Sequence, residues 1–394
     1  MAAEEPFGLW GRAFRPFFLG GAIHAALVIP WWTLVWLGVL GAPAWLAPTF
    51  WHGHEMVFGF VAAAIAGFLL TASPVWSGGP VLNGRPLAVL FGVWVLGRLA
   101  FVAAGPLPAW AVAAVDLAFL PGVAAAVVRT LWGSGQLRNY GIVGVVLALA
   151  AANAMVHAEA VGWAPGAARP ALRFAVDAVI VLILVVGGRI TPAFTQNAFR
   201  MRGIDRSVRS WPALNRATIG LAVAVALAGL ALGRTPVTGV VAVAAGLVSA
   251  ARLSGWQGSS TRGDPLLWSL HLALAWVSVG LVLVGLGDLG VPIPATAGLH
   301  ALTAGAMGSA IMAVTTRVAL GHTGRALSLP AGVVACYALV HAAALARVAA
   351  PFLAADGQRA LLLASGLAWA CAFGLFAFRY ASILTSPRVD GLPG

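Results

Sequence analysis

Apolar stretches of about twenty residues follow one another along almost the whole chain, each closed by a short segment of Pro, Gly and Arg. A helix needs about 20 such residues to cross the roughly 30 Å hydrocarbon core of a bilayer. The pattern predicts helices over 17–41, 52–73, 86–105, 108–130, 139–162, 172–192, 213–232, 235–253, 265–287, 294–318, 328–350 and 358–384. In lipid, backbone polar groups must be satisfied within the protein, and continuous apolar runs do this as helices. The expected fold class is therefore all-α: a polytopic membrane protein with one bundle of twelve transmembrane helices over 17–384, a leader over 1–16 and a tail over 385–394.

Composition agrees with this pattern. Of the 394 residues 61% are hydrophobic and 9% charged, against about 25% charged in a soluble domain. A net charge of +12 suggests a nucleic-acid partner at first, but the 23 basic residues are all Arg and fall mostly between the apolar runs. That placement reads as membrane topology, with no nucleic acid implied. Most arginines lie on the side that holds the N-terminus, so the positive-inside rule puts both termini, and the loop from Gln196 to Pro212, in the cytoplasm. The leader carries Glu4, Glu5, Arg12 and Arg15 and lacks a signal-peptide apolar region. Cys336 and Cys371 lie far apart inside apolar runs, which excludes a disulfide framework and a Cys-based zinc motif.

A faint repeat of four helices runs through the chain. Helices 1, 5 and 9 each carry a histidine (His24, His157, His271), and helices 2 and 10 open with one (His52, His300). Helix 6 lacks that histidine, but helices 2, 6 and 10 all end in polar or Pro-bearing segments, Thr71 to Trp76, Gly187 to Gln196 and Thr315 to Arg325. A threefold arrangement of four-helix units is the expectation.

Ionisable side chains are costly in hydrocarbon, and those that persist usually face the bundle interior and mark a site. The topology puts His52, His54, His157 and His300 in a periplasmic layer, with His341 nearby and with Glu55, Asp116, Glu159 and Asp177 at similar depth. His24 and His271 form a second layer toward the cytoplasmic face, with His322 in the loop just below. Imidazole is the commonest metal ligand, so eight histidines in such a chain point to a metalloprotein; the alternative is interhelical hydrogen bonding. In W-H-G-H-E, Trp51 to Glu55, regular helical spacing puts His52 and Glu55 on one face and His54 on nearly the opposite one, which separates a haem from a copper or a hydrogen-bond partner. The other reading is an interfacial cap. Arg98 and Arg347 are candidates to neutralise haem propionates or to pair with Asp116 and Asp177, and Arg347 can instead snorkel. Asn153, one turn before His157, is placed to hydrogen-bond a ligand. Glycines such as Gly59, Gly67, Gly305 and Gly308 read as close helix packing.

Several motifs together are familiar: R-P-F-F-L-G-G at Arg15, W-H-G-H-E-M-V-F-G-F at Trp51, A-G-F-L-L-T-A at Ala66, G-G-R-I-T-P-A-F-T at Gly187, H-A-L-T-A-G-A-M-G at His300 and T-R-V-A-L-G-H-T-G-R at Thr316. Their order over nearly the full length resembles the NnrS family. The resemblance implies a multi-pass protein of the bacterial inner membrane that binds haem and copper and is linked to nitric oxide metabolism or nitrosative stress. It also implies a distant similarity to the catalytic subunit of haem-copper oxidases and nitric oxide reductases, although here helix 6 lacks a histidine and helix 10 has one where that superfamily has a pair.

The leading expectation is an oxidoreductase that reduces nitric oxide to nitrous oxide, with one or two haems b and copper, fed by cytochrome c or quinol. Metal ligands are sought among His52, His54, His157, His300, His341 and His322, and haem contacts among His24, His54, His271, His300, Arg98 and Arg347, with His24 and His271 clamping a second haem. Glu55, Asp116, Glu159 and Asp177 are the candidate proton carriers. A non-enzymatic binder that senses or sequesters nitric oxide is the second reading, and a secondary transporter the third.

Overall fold

A computed structural model describes residues 8–41, 45–102 and 105–392. Among these, twelve helices are long and apolar enough to cross a membrane, and the protein is an all-α, multi-pass membrane protein. They are α1 (Phe14–Trp36), α2 (Pro48–Ser77), α3 (Gly84–Val102), α4 (Ala109–Leu131), α5 (Tyr140–Ala160), α6 (Ala168–Met201), α7 (Pro212–Leu232), α8 (Pro236–Ser254), α9 (Pro265–Asp288), α10 (Ala295–His322), α11 (Val333–Phe352) and α12 (Ala355–Thr385). Most of the leader expected over 1–16, including Glu4 and Glu5, lies outside the described residues.

The boundaries differ from the expected ones for local reasons. α2 starts at Pro48, whose missing N–H costs nothing in the first turn, and stops at Gly78, which takes a left-handed φ of +70°. α6 runs on to Met201, so the first residues of the expected loop from Gln196 are helical. Thirty-four residues at about 1.5 Å each give roughly 51 Å. That length exceeds the hydrocarbon core, which explains how a polar end and Pro192 are accommodated in one helix.

Two compact units divide the chain. The first comprises residues 1–175, 315–330 and 373–394, the second residues 176–314 and 331–372, and α6, α10 and α12 contribute to both. Polar side chains turn inward in each, while Leu27, Val89, Leu99, Leu147, Leu227, Leu247 and Phe378 stay exposed, as a lipid-facing surface requires.

α2 and α10 share a feature that α6 lacks. Each has a proline six residues before a histidine (Pro48 and His54, Pro294 and His300) and a glycine five residues after it (Gly59, Gly305). In each the residues after the histidine, Glu55–Val61 and Ala301–Met307, form a π-helical turn. Such turns are rare and occur mostly at functional sites. The expected threefold pattern thus has its local counterpart in two helices only.

Small residues bring α8 and α9 together in the second unit. A Cβ on Gly285 would lie 2.6 Å from the Gly239 carbonyl oxygen, and one on Gly246 would lie 2.8 Å from the Ser278 carbonyl oxygen. Backbone cannot yield as a side-chain tip can, so Gly285→Ala is expected to destabilise by about 1–3 kcal/mol. Gly220→Ala in α7, where no atom stands within 4 Å of the new methyl, should be neutral or slightly stabilising. Thermal unfolding of the two variants in detergent checks the difference.

Candidate functional site

Two irregular stretches of helix, one in α2 and one in α4, build the site with α3 and α5, all in the first unit. The π turn that begins at Glu55 changes the direction of successive side chains, so His54 and Glu55, adjacent in sequence, meet: His54 Nδ1 lies 3.0 Å from Glu55 Oε1. The regular-helix spacing that grouped Glu55 with His52 therefore does not hold. His52 stacks on Trp32, with ring centroids 4.6 Å apart. α4 is interrupted after Asp116, where Pro121 cannot bond the Leu117 carbonyl and its ring crowds that oxygen. The break leaves Asp116 facing α3 and α5. Inside the π turn, Trp94 of α3 donates to the Gly59 carbonyl at 3.0 Å.

Arg98 joins the two acids. Its Nη1 donates to Glu55 Oε1 at 2.8 Å, and its Nη2 forms an ion pair with Asp116 Oδ1. Glycines make room for it: a Cβ on Gly59 would stand 2.6 Å from His24 Nε2 and 2.8 Å from Arg98 Nη1, and one on Gly97 would stand 2.9 Å from Asp116 Oδ1. Arg98, Glu55, Asp116, His54, Asn153 and His157 are all buried, and none is more than 7% exposed. Charges withdrawn from water in this way persist only when they are paired and hydrogen-bonded.

His54 and His157 complete the cluster around the other oxygen of Asp116. Oδ2 accepts from Asn153 Nδ2 at 2.8 Å and lies 3.0 Å from His157 Nε2 and 3.2 Å from His54 Nε2. Asn153 presents its Oδ1 to His54 Nε2 at 2.9 Å. Both ring nitrogens of His54 thus face oxygen acceptors. Two carboxylates against one guanidinium leave one negative charge, which either a second proton on this cluster or a bound cation must balance.

The ligand atoms of His54, Asp116 and His157 lie within 4.8 Å of one another. Two ligands at about 2.1 Å from one tetrahedral metal stand roughly 3.4 Å apart, close to the separations found. Two imidazoles and a carboxylate suit copper, zinc or iron. The ring nitrogen that His157 turns to this group is Nε2, while its Nδ1 is buried without a partner among the described residues. The residues present therefore fit a mononuclear metal, with Asn153 and Arg98 orienting its carboxylate ligand.

The remaining sequence candidates are dispersed. His24, expected in a separate inner layer, joins this cluster instead, with Nε2 3.3 Å from the Glu55 carbonyl oxygen and 3.5 Å from Oε2. The reason is length: α1 begins at Phe14, so His24 sits ten residues in, near its middle. Glu159 Oε2 accepts the Ala168 amide at 2.6 Å and holds the start of α6. His322 packs its ring against Phe14, with centroids 5.8 Å apart.

In the second unit, Asp177 carries Oδ2 beside Gly229. Arg347 is half-buried near the end of α11 and makes no ion pair among the described residues. Thr195 donates its hydroxyl to the Thr191 carbonyl, so it accepts from His271 Nε2 at 3.0 Å; Nδ1 of that ring lies over Gly258. His300 donates Nδ1–H to the Thr296 carbonyl at 2.7 Å. His341 is the converse. Its Nδ1 accepts from Trp276 Nε1 at 3.1 Å, so the proton sits on Nε2, which is buried without a partner among the described residues. That tautomer suits a hydrogen-bond donor better than a metal ligand.

Fold and site together define a polytopic membrane protein with an enclosed histidine, carboxylate and arginine centre. A family model described as NnrS protein matches residues 8–388, and the chain belongs to the NnrS family. Membership suggests a nitric-oxide-related membrane protein. No curated protein matches the chain.

Removing Arg98 would leave two carboxylates buried and uncompensated, so Arg98→Gln is expected to cost about 3–5 kcal/mol. Adding Glu55→Gln and Asp116→Asn should recover a large part of that loss. Unfolding of the single and triple variants in detergent measures both. Equal instability of the two would show that Arg98 acts by packing alone.

Proposed function

We propose that this protein is a membrane oxidoreductase that reduces nitric oxide, with copper held by His54, Asp116 and His157. The observation that supports the reading most is the convergence of those three ligand atoms inside a buried network of two carboxylates and one guanidinium, whose further positive charge a proton or a bound cation supplies. Two molecules of nitric oxide, two electrons and two protons give one nitrous oxide and one water. Copper held by His54, Asp116 and His157 would pass electrons from the external donor one at a time and would offer a position for nitric oxide.

Nitric oxide is small and apolar, so it reaches a site at membrane depth through lipid. Protons need carriers, and the chain offers them in a row: His24, with a side chain 13% exposed, then Glu55 at 3.5 Å, then the fully enclosed His54 at 3.0 Å. Glu55 Oε2 faces His24 and Oε1 faces His54, so one carboxylate takes a proton from the more open side and passes it inward. Arg98 keeps Glu55 and Asp116 in place and restrains the charge that accumulates there. For haem, His300, whose Nδ1–H is fixed by the Thr296 carbonyl, is the residue that would hold the group. The electron donor on this reading is cytochrome c or quinol, and the membrane is the bacterial inner membrane.

A second reading, a non-catalytic protein that binds nitric oxide through the same metal, is favoured by the complete hydrogen bonding of His54, which leaves His157 Nδ1 as the cluster's unpartnered ring nitrogen. Turnover separates the two. Purified protein with a reductant is expected to consume nitric oxide in many-fold excess over protein and to release nitrous oxide. His157→Ala should lower copper occupancy by about tenfold or more and abolish turnover, whereas His52→Ala should keep both. Consumption that stops at stoichiometric loss would favour the binder, and copper retained in full by His157→Ala would overturn the ligand set.

A further inference from the structure

A second group of unusual charges lies in the first unit, apart from the metal cluster, where the start of α1, the segment after α10 and the end of α12 meet. Arg15 is fully buried, at 0% exposure. Its Nη1 donates to the carbonyl oxygens of Ile383, Leu384 and Ser386, at 3.4, 3.0 and 2.6 Å, and so caps the C-terminus of α12. Its Nε and Nη2 are buried with no partner among the described residues. A guanidinium offers five N–H donors, and the Nε and Nη2 edge is one that grips two oxygens of a carboxylate or phosphate side by side. Here that edge is the unfilled one.

The surroundings are strongly basic. Arg325 and Arg388 stand within electrostatic reach of Arg15, and Arg388 within reach of Arg12 and His322. Arg325 also has a buried Nη1 without a partner among the described residues. Asp390 is the acid in this group and it is already engaged by Arg388, at 2.8 and 2.5 Å. Arg388 further donates to the His322 carbonyl at 3.0 Å, and the Val389 amide bonds the Thr323 carbonyl at 3.2 Å, so the segment that carries Arg325 is tied to the end of α12. Topology explains arginines at a membrane face, but such arginines sit in water. It does not explain one enclosed with its bidentate edge unpartnered among the described residues. A water molecule would fill one hydrogen-bond direction and leave the charge uncompensated.

We infer that Arg15, with Arg12 and Arg325, forms a binding site for an oxyanion, a phosphate group carried by an anionic phospholipid or free in solution. The phosphate bonds the unpartnered edge of Arg15, and Arg12 and Arg325 supply further positive charge. Because one guanidinium touches both the anion and the last carbonyls of α12, occupancy also tightens the junction of α1, α10 and α12.

The test is thermal unfolding of the detergent-solubilised full chain with three additions: phosphatidylglycerol, the zwitterionic phosphatidylcholine, and inorganic phosphate. The unfolding midpoint is expected to rise with phosphatidylglycerol or phosphate and not with phosphatidylcholine. A rise with the lipid alone identifies a headgroup, and a rise with both identifies a site that accepts the free ion. Because Arg15 caps α12 and its variants are prone to misfold, the variants are Arg12→Gln with Arg325→Gln, expected to lose at least half of the shift. The control is Arg85→Gln, an exposed arginine expected to keep it. No shift of the unsubstituted protein with either anion, or a full shift in the Arg12→Gln, Arg325→Gln variant, overturns the assignment.

Discussion

Arg98 placed between Glu55 and Asp116 is the constraint on which the rest of the site depends. A guanidinium with two carboxylates at membrane depth is tolerated only as a closed set, because each member alone would be an uncompensated charge in a low dielectric. That requirement fixes the neighbours. α2 turns through a π segment so that Glu55 reaches Arg98, α4 breaks after Asp116 so that its carboxylate does the same, and Gly59 and Gly97 are bare where any side chain would collide with the pair. The set is closed geometrically but not electrically. The second carboxylate charge is balanced by a proton on the cluster, for which His54 has acceptors at both ring nitrogens, or by a cation at the oxygen of Asp116 shared by His54, His157 and Asn153.

Membership in the NnrS family and this centre point in the same direction. Burial rises from the partly exposed His24 through Glu55 to the wholly enclosed His54. The second unit holds a looser counterpart. There the π turn of α10 follows His300, whose Nδ1–H is held by the Thr296 carbonyl, while Trp276 donates to His341 Nδ1. The two halves share a local device in α2 and α10 but have filled it with different chemistry.

Much of this was legible in the sequence, and the parts that were not have physical reasons. Run length and arginine placement carry the twelve helices because the bilayer imposes both. His54, His157, Glu55, Asp116, Arg98 and Asn153 stand out because intramembrane polar groups are expensive. What spacing could not reveal is which of them meet: the π turn at Glu55 and the break after Asp116 depart from the regular helix on which face assignments rest. His24 was set in the wrong layer because the start of α1 at Phe14 depends on aromatic burial rather than on the onset of an apolar run. Gly59 read as helix packing, and its role in admitting His24 and Arg98 needs the coordinates of three helices. Arg12 and Arg15 read as topology, and nothing in their sequence context signals that Arg15 is enclosed.

The central claim, that His54, Asp116 and His157 hold one metal ion, is most directly tested by an experimental map of the purified, copper-loaded protein with anomalous scattering recorded at the copper edge. The account predicts a single peak at bonding distance, about 2.0–2.2 Å, from His54 Nε2, Asp116 Oδ2 and His157 Nε2. A map with no peak there, and with those three atoms bonded only to one another, would contradict it.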